Sequence, residues 1–282
     1  MRVLQSGAVR LLDDVDASAV WDLLGRDPVG NVVTAARLRA PSWEPRRLGA
    51  QLWGYFGADG LESLCYAGAN LIPTPASAPA VAAFARQAIG QARMCSSIFG
   101  REEVVAPLWH HLQSAWAPAR EVRAGQALLA TAHPPAVAAD PAVRRVQPAE
   151  VDTLMPACVA MYSEELGLSP LGRDGGAAYR SRVVELVRAG HSFARIEDGQ
   201  VLFKAEVGAV TASACQVQGV WVTPRLRGLG LGTAGMATVV GEALRGIAPV
   251  VSLYVNAHNA AARQAYSRVG FSPAGTFMSV LF

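Results

Sequence analysis

Two hydrophobic periods alternate along this chain. Apolar residues recurring every three or four positions predict amphipathic helices, and short alternating or continuous apolar runs predict strands. In the second half the pattern predicts a strand over 143–146 and a helix over 150–166, in which Val151, Leu154, Cys158 and Met161 share one face. Pro156 lacks the N–H that a helix interior uses, so regular helix is expected from about Thr153, with Pro156 in its first turn. A loop over 167–176, a helix over 177–189 and a meander of strands over 192–196, 201–207 and 214–222 follow, with a tight turn at Glu197–Gln200. A further helix carries Met236, Val239, Val240, Ala243 and Leu244, and strands over 250–255 and 277–282 flank a last helix ending at Gly270.

The first half reads in the same order. Strand 9–12 precedes helices over 16–24, with Asp16 as cap, and over 31–38. A hairpin over 50–56 and 61–66 turns at Gly57–Gly60, and a strand at 70–75 ends at proline. Helix 81–89, strand 94–99, helix 102–116 and strand 126–131 complete it. Both halves thus run strand, two helices, three strands, helix, strand, helix, strand. The expected organisation is an N-terminal α/β domain over 1–130, a proline- and alanine-rich semi-rigid linker over 131–141, and a second domain over 142–282. Two readings of the first domain stand: a degenerate copy of the second, or an unrelated α/β module.

One stretch concentrates chemistry. Val217, Val220, Trp221 and Val222 suit a strand, and Pro224 ends it for want of a donor. Arg227-Gly228-Leu229-Gly230-Leu231-Gly232-Thr233 follows, and then the helix. Glycines at alternate positions leave amides bare and permit left-handed dihedrals. With the positive end of a helix behind them, they form an anion site suited to phosphate or pyrophosphate, and Arg225 and Arg227 add charge. No Lys precedes Thr233, as a Walker loop would need, and the G-x-G-x-G spacing is not that of a dinucleotide fingerprint.

The stretch resembles the pyrophosphate loop of the GNAT superfamily of N-acetyltransferases, Arg/Gln-x-x-Gly-x-Gly/Ala, at Arg227, Gly230 and Gly232, with Val222-Thr223-Pro224 as lead-in. A second block resembles the superfamily at Val255, Asn259, Ala262, Tyr266, Gly270 and Phe271. The tandem layout is similar to actinobacterial acetyltransferases with an uncharacterised N-terminal domain and, more distantly, to mycothiol synthase. The resemblance implies a GNAT fold in an α/β (α+β) chain, a mixed and mainly antiparallel sheet flanked by helices. It implies acetyl-CoA as co-substrate, a primary amine as acceptor, direct transfer in a ternary complex and no metal.

In that frame the backbone of Val220, Trp221 and Val222 would bind the acyl-pantetheine, and Arg227, Gly228, Leu229, Gly230, Leu231, Gly232 and Thr233 would hold the pyrophosphate. Asn259 either bonds the pantetheine or caps its helix. Tyr266 is the candidate general acid for the departing thiolate. The base departs from the family pattern. Many relatives carry Glu near position 216, where this chain has Gln216 and Gln218. Glu206, on the neighbouring strand, is the candidate; its other reading is a structural pair with Lys204, which shares its face. Glu164 and Glu165 are weaker candidates, and an ordered water is a further one. His258 could relay a proton but reads first as a capping or surface residue, His133 reads as solvent-facing rather than a ligand, and His110 and His111 lie on a predicted helix with no visible partner. In the first half the place of the glycine loop reads Thr74-Pro75-Ala76-Ser77-Ala78-Pro79, whose prolines remove donors, so no pyrophosphate is expected there.

Composition narrows the picture a little. Of 282 residues, 51% are apolar and 17% charged, as in a globular chain, and a net charge of +3 gives no footprint for nucleic acid. The four cysteines are scattered and form no C-x-x-C pair, so buried thiols are expected rather than a metal site. No leader-like or bilayer-length apolar run is seen, so a cytoplasmic protein without membrane partners is expected. The runner-up function is a CoA-binding regulatory protein without catalysis. The acceptor and the oligomeric state are not legible.

Overall fold

The computed structural model describes residues 7–40, 42–172 and 175–282. The readings of Met1–Gln5, and of Arg173 and Asp174 in the 167–176 loop, lie outside the described residues. The chain divides into two compact units, residues 1–128 with 274–282, and residues 129–273.

The first unit runs β1 (Val9–Leu11), α1 (Ala17–Gly25), α2 (Val32–Arg37), α3 (Pro45–Leu48), β2 (Gln51–Gly57), β3 (Gly60–Ala67), β4 (Asn70–Pro73), α4 (Ala78–Ile89), β5 (Ser97–Arg101), α5 (Glu102–Leu112) and β6 (Glu121–Thr131). The second runs β7 (Arg144–Arg145), α6 (Val151–Leu166), α7 (Ala177–Arg188), β8 (Ser192–Glu197), β9 (Gln200–Val210), β10 (Cys215–Val222), α8 (Leu231–Gly246), β11 (Val251–Val255) and α9 (Ala260–Val269). The last strand, β12 (Ser272–Leu281), carries the chain back into the first unit.

Pairing repeats between the units. β1 to β4 pair antiparallel in sequence and β4 runs parallel to β5; β7 to β10 likewise pair antiparallel, and β10 runs parallel to β11. Each is a mixed, mainly antiparallel sheet with helices against it. β12 breaks the repeat. Residues Phe277–Leu281 pair antiparallel with Arg101–Ser97 of β5, and Met278 and Val280 enter the core of the first unit with Phe84, Ile98 and Leu108. The sequence reading kept 277–282 with the second domain; the structure seats this strand beside β5.

Local differences have local causes. The helix expected from Asp16 is capped one turn earlier, where Asp13 accepts from Val15 N–H and Asp16 bonds back to the Asp13 amide. The Asp16 carboxylate is also paired with Arg10. α6 begins at Val151 rather than near Thr153, because a capping box between Gln147 and Glu150 starts a 3-10 turn that feeds it. Pro156 therefore sits inside the helix. The short helix α3, unforeseen in the pattern, starts on Pro45 and ends at left-handed Gly49.

The 131–141 segment belongs to the second unit. Ala136 N–H bonds the Val269 carbonyl, and Asp140 N–H bonds the Ala234 carbonyl, so it lies along α9 and α8. His133 is exposed, and all four cysteines are buried and free.

Candidate functional site

The glycine loop leads into α8 earlier than the apolar period suggested. Gly230, at φ +84°, is the N-cap, and Gly232 and Thr233 already lie in the first turn. The first intrahelical bond is Ala234 N–H to the Gly230 carbonyl, which leaves the amides of Leu231, Gly232 and Thr233 as the free donors of a helix start. Gly228, at φ +78°, and Gly230 are left-handed, and a Cβ on either would meet nothing within 4 Å. These glycines are needed for their dihedrals, and the space over them is open. α8 lies tight on the sheet behind it: a Cβ on Gly235 would meet the Phe203 ring at 2.8 Å.

Beside the loop two parallel strands part. β10 and β11 are paired at Cys215 with Val251 and at Gln216 with Ser252, and the ladder ends there. On its other edge β10 stays paired with β9, but the register shifts twice, between Gln216 and Val217 and between Gln218 and Trp221. The second bulge is made by Gly219, at φ +60°, with Val220. The half-buried residues Val220 to Val222 therefore lie beyond the end of the β10–β11 ladder and lead to the glycine loop.

After β11, α9 is capped by Asn259, whose Oδ1 accepts from Ala262 N–H at 3.1 Å. Asn259 is thus engaged as a cap. Tyr266, 7% exposed, packs edge-on against Phe271. Burial, and then the charge of Glu165, push its phenol well above its ordinary range, so it stays protonated at neutral pH.

Glu206 and Lys204 lie behind the β10 bulge. Their ion pair measures 3.3 Å, with Lys204 wholly enclosed and Glu206 8% exposed. Gly219 passes directly over both: a Cβ there would sit 2.9 Å from Glu206 Oε1 and 3.0 Å from Lys204 Nζ. Glu206 is therefore both the partner of Lys204 and a neighbour of the bulged strand. Gln218 is exposed and lies over Gly208. Among the described residues the buried Nε2 of Gln216, itself 3% exposed, has no hydrogen-bond partner, where the β10–β11 ladder ends. An orphaned donor is invisible in a sequence, because Gln216 reads there only as a missing acid.

Glu164, one of the weaker candidates for the base, is engaged at both carboxylate oxygens. Its Oε2 accepts from Arg227 Nη2 at 2.6 Å, and its Oε1 accepts from Trp221 Nε1 at 3.1 Å. Arg227 Nε further donates to the Val222 carbonyl, and Arg225 donates to Gln200. Glu165, the next residue, accepts from Asn256 Nδ2 at 3.1 Å. His258, His110 and His111 are exposed.

Residues 173–271 match the acetyltransferase (GNAT) family, a span that contains the loop, the parting strands and α9. The second unit is a GNAT domain. Residues 50–154 match a domain of unknown function, DUF4081. No curated protein matches the chain. Among solved structures, a GCN5-related N-acetyltransferase from Sphaerobacter thermophilus is 17% identical, with TM-score 0.63 over 99% of this chain and 96% of that one. A tandem GNAT protein from the clavulanic acid biosynthesis pathway is 14% identical, with TM-score 0.55 over 96% and 98%. A GNAT-family acetyltransferase from Colwellia psychrerythraea is 11% identical, with TM-score 0.54 over 97% and 99%. At these identities the likeness is one of fold.

The matched GNAT span contains the glycine loop, Val220–Val222, Asn259, Tyr266 and Glu206, the last beneath the Gly219 bulge of β10. The equivalent place in the first unit is built differently. Ser77 caps α4 by accepting from Ala80 N–H, where the GNAT domain has Gly230. β4 and β5 stay close beyond their paired residues: a Cβ on Gly100 would meet the Pro73 carbonyl at 3.3 Å. Among the described residues no group of three or more His, Cys, Asp or Glu is placed to hold a metal, and no helix is long and apolar enough to cross a membrane.

Proposed function

We propose that this protein is an acetyl-CoA-dependent N-acetyltransferase that moves an acetyl group to a primary amine by direct transfer in a ternary complex. The observation that carries the reading is the cradle at the start of α8. Two left-handed glycines with open space over them lie beside three unpaired helix amides, at the end of a strand that has parted from its parallel neighbour.

The amides of Gly228–Thr233 bind the pyrophosphate, favoured by the positive end of α8. The backbone of Val220–Val222 aligns the pantetheine and presents donors to the thioester oxygen, where negative charge builds in transfer. Holding both reactants on one strand supplies much of the rate by proximity. Tyr266 holds its proton at neutral pH and gives it to the departing thiolate. Glu206, reached past Gly219 directly or through a water, accepts the proton of the attacking amine. Asn259 fixes the start of α9 and with it the position of Tyr266. The expected setting is cytoplasmic, with no nucleic-acid or membrane partner.

Calorimetric titration with acetyl-CoA, followed by a panel of primary amines with detection of free thiol, tests this reading. Binding with thiol release is expected, and Arg227→Ala is expected to weaken binding. Binding without release from any amine would favour a regulatory CoA-binding protein, and absence of binding would overturn the assignment of the loop.

A further inference from the structure

Arg227 opens the glycine loop, yet its guanidinium is committed elsewhere. Nη2 is held by Glu164 at 2.6 Å, and Nε by the Val222 carbonyl at 3.0 Å. Glu164 is itself bound at both oxygens, the second by the Trp221 indole. The last turn of α6 is thereby tied to β10 and to the loop. Its neighbour Glu165 is tied to Asn256, just beyond β11, and its charge reaches Tyr266. Two consecutive carboxylates on α6 thus grip the two strands that part, one each.

We propose that Glu164 is a positioning residue that stands in for phosphate. It holds Arg227 before a ligand arrives, and a phosphate-bearing ligand takes Arg227 in exchange, which releases the end of α6 from the loop. The exchange involves no covalent step. It is cheap, because both side chains are nearly half exposed and such pairs are weak in water. It is favourable, because a pyrophosphate offers a guanidinium more charge and more acceptor oxygens than one carboxylate does. Occupancy of the loop then reaches the end of α6. The inference rests on the pyrophosphate reading of the loop.

The test is a double-mutant cycle on the full chain with CoA as probe, read by calorimetry. The wild type is expected to bind, and Arg227→Ala to bind about tenfold or more weakly. Glu164→Gln, which removes the charge that holds Arg227 Nη2, is expected to tighten binding by up to about fivefold at low salt. In the Arg227→Ala background the same substitution is expected to change nothing, because the coupling runs through Arg227 alone. A Glu164→Gln protein that binds CoA no better than wild type would overturn the proposal. So would a gain that persists without Arg227, since that would be plain repulsion between Glu164 and phosphate. If the wild type does not bind CoA, the loop reading fails and this inference with it, an outcome separate from the other two. Glu164 lies at the surface, so its exchange for Gln leaves the core intact.

Discussion

Gly219 offers a quantitative test of the β10 bulge. Gly219→Ala should destabilise the GNAT domain by two additive effects. Its φ of +60° is left-handed, which costs a residue with a Cβ about 1–2 kcal/mol. Its new methyl would also lie 2.9 Å from Glu206 Oε1 and 3.0 Å from Lys204 Nζ. Those are ends of long side chains, which could move aside on a surface. Here Lys204 is fully enclosed and Glu206 nearly so, and yielding means stretching a buried ion pair. Complete loss of such a pair costs about 3–5 kcal/mol, so a partial separation brings the total to about 3–5 kcal/mol. Gly228→Ala is the matched control. Gly228 is equally left-handed, at φ +78°, but a Cβ there meets nothing, so only about 1–2 kcal/mol is expected. By differential scanning calorimetry of the full chain, the control should lower the transition of the GNAT domain by about 2–6 °C and Gly219→Ala by roughly twice that or more. Equal losses in the two variants would refute the claim that the bulge is fitted around the Lys204–Glu206 pair.

Three further outcomes are expected. Tyr266→Phe should lower acetyl transfer, read as thiol release, by about a hundredfold while leaving CoA affinity within about twofold; unchanged turnover would remove Tyr266 from the chemistry. Burial pushes the Cys215 thiol up to about 12. The unfolded thiol loses its proton near pH 8.5 while the folded one keeps it, so this contribution to stability is complete below that pH and declines as pH rises towards 12. The fall of Tm between pH 8.5 and 11 should be shallower in Cys215→Ala, and an identical slope would contradict it. Gln216→Met removes a buried donor that has no partner, a group that costs about 1–3 kcal/mol when unsatisfied. A rise of up to about 1 kcal/mol in chemical denaturation is expected, and a loss would mean that Nε2 is bonded in solution.

The sequence by itself determined what depends on near neighbours. Gly228 and Gly230 announced left-handed backbone before a helix, Asn259 announced a cap and Gly270 a stop, because each signal acts within a few residues. The turn at Asp198 and Gly199, both with positive φ, was legible for the same reason. Whatever joins distant positions was not. Glu164 lies 63 residues before Arg227, and nothing in either neighbourhood marks them as partners. Lys204 and Glu206 could be placed on one face by alternation. That Gly219 closes over them follows only from the register of β10 on β9, which a bulge resets. The largest difference is β12. An apolar run such as 277–282 states that a strand exists but not which edge it joins, because every free edge offers the same backbone donors and acceptors. Only the tertiary structure decides, by burying Met278 and Val280 in the first unit's core against β5.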